Sequence, residues 1–201
     1  MALNPKDIPY HYYSLDEYFA LEQASDARFE YWDGDIICMS GGSRAHYIIS
    51  GNVFYRLRQR LEGGPCRAFT ADTAILTPAL PPYRYPDASV ACSELKFKHV
   101  QVLDALVNPV LIVEVLSPST ASLDHNQKFS AYKAIETFSD YLLISQDKPL
   151  VTHYSRQPDG KWMQEEITSL DASLTFASIG CTINVREIYE DVDFLEVNQA
   201  D

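Results

Sequence analysis

The sequence contains no long apolar run and no leader-like beginning. Its longest apolar stretch, residues 110–116, is interrupted by Glu114 and is far shorter than the about 20 residues that a membrane-spanning helix needs. The first residues, MALNPKDIPYHYY, contain neither a basic region nor an apolar one, so no secretion signal is expected. The sequence therefore predicts a cytoplasmic protein that does not attach to a membrane.

Cysteine is also scarce, and several common catalytic motifs are missing. The four cysteines are widely spaced and form no CxxC pair, which predicts reduced thiols rather than a disulfide framework or a zinc site. No GxxxxGKS/T, GxGxxG, HExxH or GxSxG pattern occurs. Phosphate-loop, dinucleotide-binding, zinc-protease and serine-hydrolase functions therefore lack their usual sequence signals.

Basic residues are few compared with acidic ones. The chain has 16 Lys and Arg against 28 Asp and Glu, a formal net charge of −12, which weakens a general nucleic-acid-binding interpretation. However, residues 187–201 contain six acids and no base, whereas residues 44–61 contain four arginines and no acid. The net charge therefore does not exclude DNA. Arg56, Arg58 and Arg60 are candidate phosphate contacts, with a solvated helix surface as the ordinary alternative.

Local signals near the N-terminus predict a helix followed by a hairpin. Ser14 and Glu17 have the spacing of a capping box, in which each residue bonds the other's backbone at the start of a helix. Two apolar runs flank Asp33-Gly34. Such a pair predicts a hairpin, because glycine tolerates the positive φ that a tight turn requires.

The remaining elements predict an α/β (α+β mixed) fold, in which helices flank a central mixed β-sheet. A four-residue apolar repeat predicts a helix over 45–61, and residues 110–116 are typical of a central strand covered on both faces. The other predicted elements are strands at 66–69, 73–76, 85–92 and 141–145, a helix at 122–136, a hairpin around 158–160 and a short helix at 185–189. No linker or repeat divides the chain, so one domain over 1–201 is expected.

Glu114 is the most informative residue, because it interrupts a strand that is otherwise apolar. An ionised carboxylate buried there needs a cation, a hydrogen-bond network or a raised pKa. It could be a structural glutamate paired with a lysine, or a functional carboxylate. Asp87, after Pro86, is weak evidence alone. Together with Glu114 it could share a hard divalent cation such as Mg²⁺, which takes oxygen ligands and keeps several waters.

Lys128, Asp124, Glu30 and His46 are further candidates. Lys128 follows Glu114 by 14 residues on the predicted next helix, where it could orient water or stabilise negative charge. Asp124 lies one turn earlier, so an ordinary surface ion pair with Lys128 is the alternative. Glu30 in a hairpin would by default face solvent, and His46 on an apolar helix stripe would by default be a core histidine.

Several ordered segments resemble the Uma-two (Uma2) family of putative restriction endonucleases, which is grouped with the PD-(D/E)XK nucleases. The resemblance covers about residues 14–190 and leaves an acidic C-terminal tail at 187–201. The segments that carry it are FEYWDGDIICMSGGSRAH (29–46), YPDASV (85–90), NPVLIVEVLSPST (108–120), Asp124, Lys128 and Tyr132 in a D-x-x-x-K-x-x-x-Y pattern, and FSDYLLIS (138–145).

This resemblance implies a restriction-endonuclease-like core with an N-terminal helix and hairpin. Asp87 matches the Asp of the PD pair, and Glu114 matches the second carboxylate, so the two would bind Mg²⁺, with Mn²⁺ as a substitute. Leu116 stands where the superfamily pattern has a lysine, and Lys128 on the next helix is the natural substitute. The remaining candidates, Glu30, His46 and Asp124, are assigned supporting roles near the metal.

The expected function is therefore a Mg²⁺-dependent endonuclease that hydrolyses DNA phosphodiester bonds. A homodimer would suit cleavage of both strands. The first alternative is a non-catalytic nuclease-fold module for binding or regulation, which the −12 charge and the missing lysine favour. The second is a metal-dependent phosphodiesterase that acts on RNA or a small phosphodiester.

Overall fold

The N-terminal region folds as the sequence predicts, into a capped helix and a hairpin. The computed structural model describes residues 11–39, 41–78, 83–100, 103–117 and 124–194. Helix α1 (Leu15–Ala24) begins at a capping box in which the Glu17 amide donates to Ser14 Oγ and the Ser14 amide donates to the Glu17 carboxylate. Strands β1 (Phe29–Trp32) and β2 (Asp35–Cys38) pair antiparallel. Both turn residues between them have positive φ, 46° and 94°, as a tight hairpin turn requires.

A six-stranded mixed sheet forms the centre of the molecule, as predicted. Its strands are β3 Cys66–Thr70, β6 Ala88–Cys92, β9 Leu111–Leu116, β10 Asp140–Ser145, β11 Val151–Arg156 and β12 Trp162–Ile167. Their spatial order is β12-β11-β10-β9-β6-β3, and only the β9–β10 pair is parallel. Strand β9 is buried on both faces, so the central-strand prediction is confirmed.

One face of this sheet is covered by the long helix α2 (Arg44–Arg60). The predicted apolar stripe of α2 (Ile49, Val53, Leu57) is buried and packs in one cluster with alternate residues of β9. The hairpin β13 (Ser173–Phe176) and β14 (Cys181–Asn184) and the short helix α4 (Val185–Ile188) complete the layer. The helix predicted at 185–189 is confirmed, and residues 195–201 of the acidic tail lie outside the described residues.

The opposite face is covered by aromatic side chains around a short helical segment. One π-helical turn, Asp124–Lys128, leads into a single α turn, α3 (Phe129–Tyr132). The sequence predicts a longer helix over 122–136, of which 122–123 lie outside the described residues. The described part is shorter because the backbone hydrogen bonds after Tyr132 span three residues instead of four, from Ala134 to Ala131 and from Ile135 to Tyr132. Both charged ends of the π turn are buried: Asp124 is 1% and Lys128 3% exposed.

The middle of the chain contributes a second, smaller sheet with the order β5-β4-β8-β7. Its strands are β4 Ile75–Leu76, β5 Tyr83–Arg84, β7 Phe97–Val100 and β8 Leu103–Leu106. The strand predicted at 85–92 begins later, at Ala88, because the proline before Asp87 cannot donate a ladder hydrogen bond. Asp87 therefore lies just before β6, where its side chain is not committed to a sheet face.

The prediction of reduced thiols is wrong for two of the four cysteines. Cys66 and Cys92 form a disulfide, while Cys38 and Cys181 are free. Their separation of 26 residues gave no signal, but the antiparallel register of β3 and β6 places them directly opposite each other. The cysteines therefore no longer argue for a reducing compartment. No helix of the described residues has the length and apolarity to cross a membrane.

Candidate active site

Asp87 and Glu114, which are far apart in the sequence, meet where β6 begins and β9 ends. The amide of Val115, next to Glu114, donates to Asp87 Oδ2 over 2.6 Å. Both carboxylates line a cavity of about 310 Å³, together with His46, Asp124 and Lys128. The fold therefore brings five of the six predicted catalytic and supporting residues to one cavity.

Glu114 is held by two donors from the segment that follows β9. Its Oε2 lies 3.1 Å from Lys128 Nζ, and its Oε1 accepts a 3.0 Å hydrogen bond from the Tyr132 hydroxyl. Only 3% of the residue is exposed. Burial raises the pKa of Glu114 well above its ordinary value, and the positive charge of Lys128 opposes this rise. The glutamate is thus both a buried ion-pair partner and a wall of the cavity.

Lys128 is surrounded by three buried carboxylates. Its Nζ lies 3.1 Å from Glu114, 3.1 Å from Asp124 and 3.5 Å from Glu30. Burial alone would lower the pKa of Lys128, but these carboxylates outweigh it and raise the pKa above the ordinary value. Lys128 is therefore a fixed cation rather than a proton acceptor. The alternative of a surface pair with Asp124 is wrong, because both side chains are buried.

Glu30 is buried rather than facing solvent, contrary to the default for a hairpin position. It is 1% exposed, and it accepts hydrogen bonds from the Tyr85 amide at 2.8 Å and from the Trp32 indole at 3.1 Å. Glu30 does not line the cavity, but its Oε1 atom lies 3.5 Å from Nζ of Lys128, which does. Its position indicates that it supports the lysine and does not contact a ligand in the cavity.

Asp87 is oriented by His46. The Nε2 atom of His46 lies 2.9 Å from Asp87 Oδ1, while Asp87 Oδ2 accepts the Val115 amide. The hydrogen bond to Asp87 raises the pKa of His46, and partial burial of the ring opposes this rise. His46 is therefore a partner of the carboxylate rather than a plain core residue.

The donor chemistry of the cavity fits Mg²⁺ or Mn²⁺. Asp87 and Glu114 are hard oxygen donors on one cavity, and each carboxylate oxygen keeps a second lone pair beside the bond it already accepts. Among the described residues, no three His, Cys, Asp or Glu side chains are grouped as a metal site. Two carboxylates suffice for Mg²⁺, which usually retains several waters.

The predicted phosphate-contacting arginines lie apart from this cavity. Arg56 pairs with Glu190, and Arg60 Nη2 lies 3.1 Å from Glu187 Oε1. Arg58 is exposed. None of the three lines the cavity. Their contact with phosphates remains a prediction, and for Arg56 and Arg60 it would have to compete with the acids already bound.

Sequence reasoning missed Arg84, which is 1% exposed. Its guanidinium lies 3.7 Å from the Trp32 ring centroid and donates to the carbonyl of Tyr31 at 3.1 Å. Arg84 is therefore a second buried cation of this region, and its positive charge interacts with the negative charge of Glu30. A signal was available, because Arg84 is a charged residue between two tyrosines directly before Pro86.

Gln146 was missed as well. It lines the cavity and accepts a hydrogen bond from the Ser43 hydroxyl at the start of α2. No local pattern could have found it, because its role depends on β10 ending beside a helix that lies a hundred residues earlier.

Comparison with known proteins identifies the family. The sequence model that matches residues 15–186 is that of Uma2, described as "putative restriction endonuclease". Two similar proteins belong to Synechocystis sp. (strain ATCC 27184 / PCC 6803 / Kazusa). Uncharacterized protein slr1290 is 33% identical over 194 residues, covering 96% of this chain and 100% of the relative. Uncharacterized protein sll1609 is 33% identical over 161 residues, covering 80% and 90% respectively.

A solved structure shares the fold. It is the crystal structure of a putative nuclease belonging to DUF820 from Anabaena variabilis ATCC 29413, with a TM-score of 0.69 and 19% sequence identity. The match covers 90% of this chain and 98% of that chain. The predicted fold, a central mixed sheet flanked by helices, is therefore confirmed.

Proposed function

The chain belongs to the Uma2 family, and from this membership we propose that it is a Mg²⁺-dependent endonuclease that hydrolyses DNA phosphodiester bonds. One observation carries the proposal: Asp87 and Glu114 line a single cavity beside a fixed cation, Lys128. Paired carboxylates are suitable ligands for Mg²⁺. A cation beside them suits a substrate that gains negative charge during hydrolysis.

In this proposal Asp87 and Glu114 hold the metal, and the neighbouring residues hold Asp87 and Glu114. A bound Mg²⁺ would neutralise phosphate charge and lower the pKa of a coordinated water. Lys128 fixes Glu114 through the 3.1 Å contact to Oε2 and adds positive charge at the cavity wall. His46 fixes Asp87. Lys128 thus substitutes for the lysine that the superfamily pattern has at the position of Leu116. Its role in this proposal is to supply positive charge and not to act as a base.

The test is cleavage of supercoiled plasmid DNA with and without Mg²⁺ or Mn²⁺. We expect nicking by the wild type, which Glu114→Gln and Asp87→Asn abolish. Glu136→Gln, which changes an exposed glutamate, is the control and should cleave normally. Thermal melts confirm that each variant is folded. Calorimetric titration with the metal alone should show binding that the Glu114 variant loses. Nicking that persists in both carboxylate variants would refute the proposal.

A non-catalytic binding module is the second candidate, and one observation favours it. Both oxygens of Glu114 already accept bonds from Lys128 and Tyr132, as a purely structural buried glutamate would. This reading predicts that the wild type binds no metal even when duplex DNA is present. It also predicts that Lys128→Met leaves nucleic-acid binding intact in a folded protein.

Two finer points belong to the same proposal. The described residues place Asp87 and Glu114 on one cavity, so simultaneous cleavage of both strands would take two copies, and light scattering with DNA present tests for a homodimer. Competition between labelled DNA and unlabelled RNA tests the alternative substrate. A cytoplasmic location remains part of this proposal.

A further inference from the structure

One face of α2 is exposed although it carries large side chains. Arg44, Tyr47, Gly51, Tyr55 and Arg58 follow each other at three- and four-residue intervals, so they share one side of the helix. Tyr47 is 57% and Tyr55 54% exposed, and the other three residues are exposed as well. We call these five residues the α2 stripe. It lies on the side of the helix away from the buried residues Ile49, Val53 and Leu57.

Gly51 lies in the middle of the α2 stripe, and the chain itself gives no reason for a glycine there. Apart from its chain neighbours and the backbone of its own helix, a Cβ atom built on Gly51 would meet no atom of the described residues within 4 Å. Glycine within a helix is less stable than alanine, so the position is not optimised for the fold. Absence of a side chain here allows another molecule to approach the helix backbone closely.

The charge of the α2 stripe suits a polyanion. Both of its charged residues are arginines, and the first acid after residue 44 is Glu62, beyond Arg58. This contrasts with the chain as a whole, which has a net charge of −12. Arg56 and Arg60, on other sides of the same helix, pair with Glu190 and Glu187. Arg58 forms no ion pair with a described residue.

The α2 stripe also begins at the candidate active site. Ser43, the N-cap of α2, lines the cavity together with Gly42 and His46. The Tyr47 hydroxyl accepts a 2.7 Å hydrogen bond from the Gly42 amide, and its ring packs edge-on against His46. A molecule that lies along the stripe would therefore reach the cavity rim at Tyr47.

We propose that the α2 stripe binds the backbone of the nucleic-acid substrate next to the cleavage site. Arg44 and Arg58 contact phosphates, Tyr47 and Tyr55 pack against the sugars, and Gly51 lets the strand lie close to the helix. The stripe spans about 21 Å from Arg44 to Arg58, the length of about six base pairs. The proposal rests on the nuclease function proposed above and adds the surface that holds the substrate.

A second copy of this chain is a poorer occupant. Two stripes related by a two-fold axis near Gly51 would run antiparallel, so that a residue before the axis in one copy faces a residue beyond it in the other. Arg44 of one copy would then approach Arg58 of the other. Like charges would meet at both ends of such a contact, whereas a phosphate backbone offers opposite charge along its whole length.

The first test is the salt dependence of binding to a labelled DNA duplex, measured by fluorescence anisotropy without divalent metal so that no cleavage occurs. Each phosphate contact contributes about 0.9 to the slope of log K against log salt concentration. The double variant Arg44→Ala with Arg58→Ala should therefore have a shallower slope, reduced in magnitude by about 1.8. Arg156→Ala with Arg186→Ala removes the same charge from exposed positions elsewhere, so its slope serves as the control. Equal slopes for the two double variants would overturn the proposal.

The second test uses the open position at Gly51, where a new side chain does not clash within the chain. Gly51→Glu should weaken DNA binding at least about tenfold, while Gly51→Lys, of similar size and opposite charge, should bind at least as tightly as the wild type. Unchanged binding by both variants would contradict the proposal. So would a loss of self-association in light scattering with DNA affinity unaltered, since the stripe would then be a contact between copies.

These outcomes are separable from the failure of the proposed function. If the stripe variants bind DNA normally but Glu114→Gln still abolishes nicking, only the surface is wrong. If the stripe variants lose binding but no form of the protein cleaves DNA, the surface stands and the nuclease proposal fails.

Discussion

Two groups of ion pairs in this protein use the same kinds of side chain in opposite surroundings. Around Lys128, three carboxylates and one ammonium are buried, each less than 4% exposed. At the C-terminal end of α2, Arg60 pairs with Glu187 where the side chains are 41% and 24% exposed. Exposed pairs contribute little to stability. Buried pairs are costly to assemble, and they are costly to break once formed. The buried group is therefore the one whose disruption should cost the fold most, and under the proposed function it is also the group beside the reacting phosphate.

Removing the buried cation should give the largest effect. Lys128→Met leaves Glu30, Glu114 and Asp124 facing one another without compensation, and we expect a loss of about 3–5 kcal/mol of unfolding free energy. Urea denaturation measures it. A loss below about 1 kcal/mol would place the cluster with the surface pairs.

The same variant should be unusually sensitive to pH. Burial already raises the pKa of Glu114, and loss of Lys128 raises it further. A carboxyl whose folded pKa exceeds its unfolded value stabilises the fold at low pH and loses that contribution as the pH rises through the folded value. Lys128→Met should therefore lose more stability relative to wild type at about pH 8 than at about pH 5. A larger loss at about pH 5 than at about pH 8 would show that removal of Lys128 does not raise the pKa of Glu114.

Removing one hydrogen bond to the buried group should have the next largest effect. Tyr132→Phe deletes the hydroxyl that donates to Glu114 Oε1, and bonds to charged groups contribute about 1.5–3 kcal/mol. Tyr55→Phe, which changes an exposed tyrosine, is the matched control and should alter stability by less than about 0.5 kcal/mol. Equal effects in the two variants would contradict the special role of burial.

His46 lies between the two extremes, because its ion pair with Asp87 is partly exposed, 21% and 15%. His46→Gln should cost about 1 kcal/mol of stability or less. Partners that orient a metal ligand typically change metal affinity by about 10–100-fold, so Mg²⁺ binding measured by calorimetry should weaken within that range. Unchanged affinity would mean that Asp87 does not depend on His46 for its orientation.

The exposed pair at the end of α2 should give the smallest effect. Arg60→Met removes the nearer partner of Glu187, which keeps Arg56 at 3.8 Å. We expect a change below about 1 kcal/mol that shrinks further in high salt. Chemical denaturation at low and high ionic strength checks this. A loss as large as that of Lys128→Met would erase the distinction between the two groups.

Much of this contrast could be predicted from the sequence, because burial of Glu114 is a local property. The apolar residues on either side of Glu114 predict that it is buried, and Lys128 on the following segment is close to it in the sequence. The hairpin at Asp33-Gly34 was predictable for a similar reason, since the turn and its flanking strands are contiguous. Patterns of this kind depend on neighbours within a few residues.

The parts that could not be predicted depend on pairings distant in the chain. Glu30 is buried where the Tyr85 amide and the Trp32 indole donate to it, and no sequence pattern near Glu30 predicts the contact with Tyr85. The Cys66–Cys92 disulfide depends on the register between β3 and β6. The difference between Arg56, which pairs with Glu190, and Arg58, which is exposed, likewise depends on which acids the C-terminal segment places beside α2.

The π turn Asp124–Lys128 makes the position of the cation a matter of residue count. A π turn contains one residue more than an α turn, and each residue of an α-helix rotates the side-chain direction by about 100°. Deleting one residue there would turn the chain after the deletion by about 100° and shift it by about 1.5 Å relative to the chain before it. Asp124 and Lys128 would stay on one side of a helix but could not both keep their present distances to each other and to Glu114. A chain with every charged residue intact could thus lose its cluster through a change in length alone. In this segment the number of residues between the charged side chains therefore matters to the cluster as much as their identity.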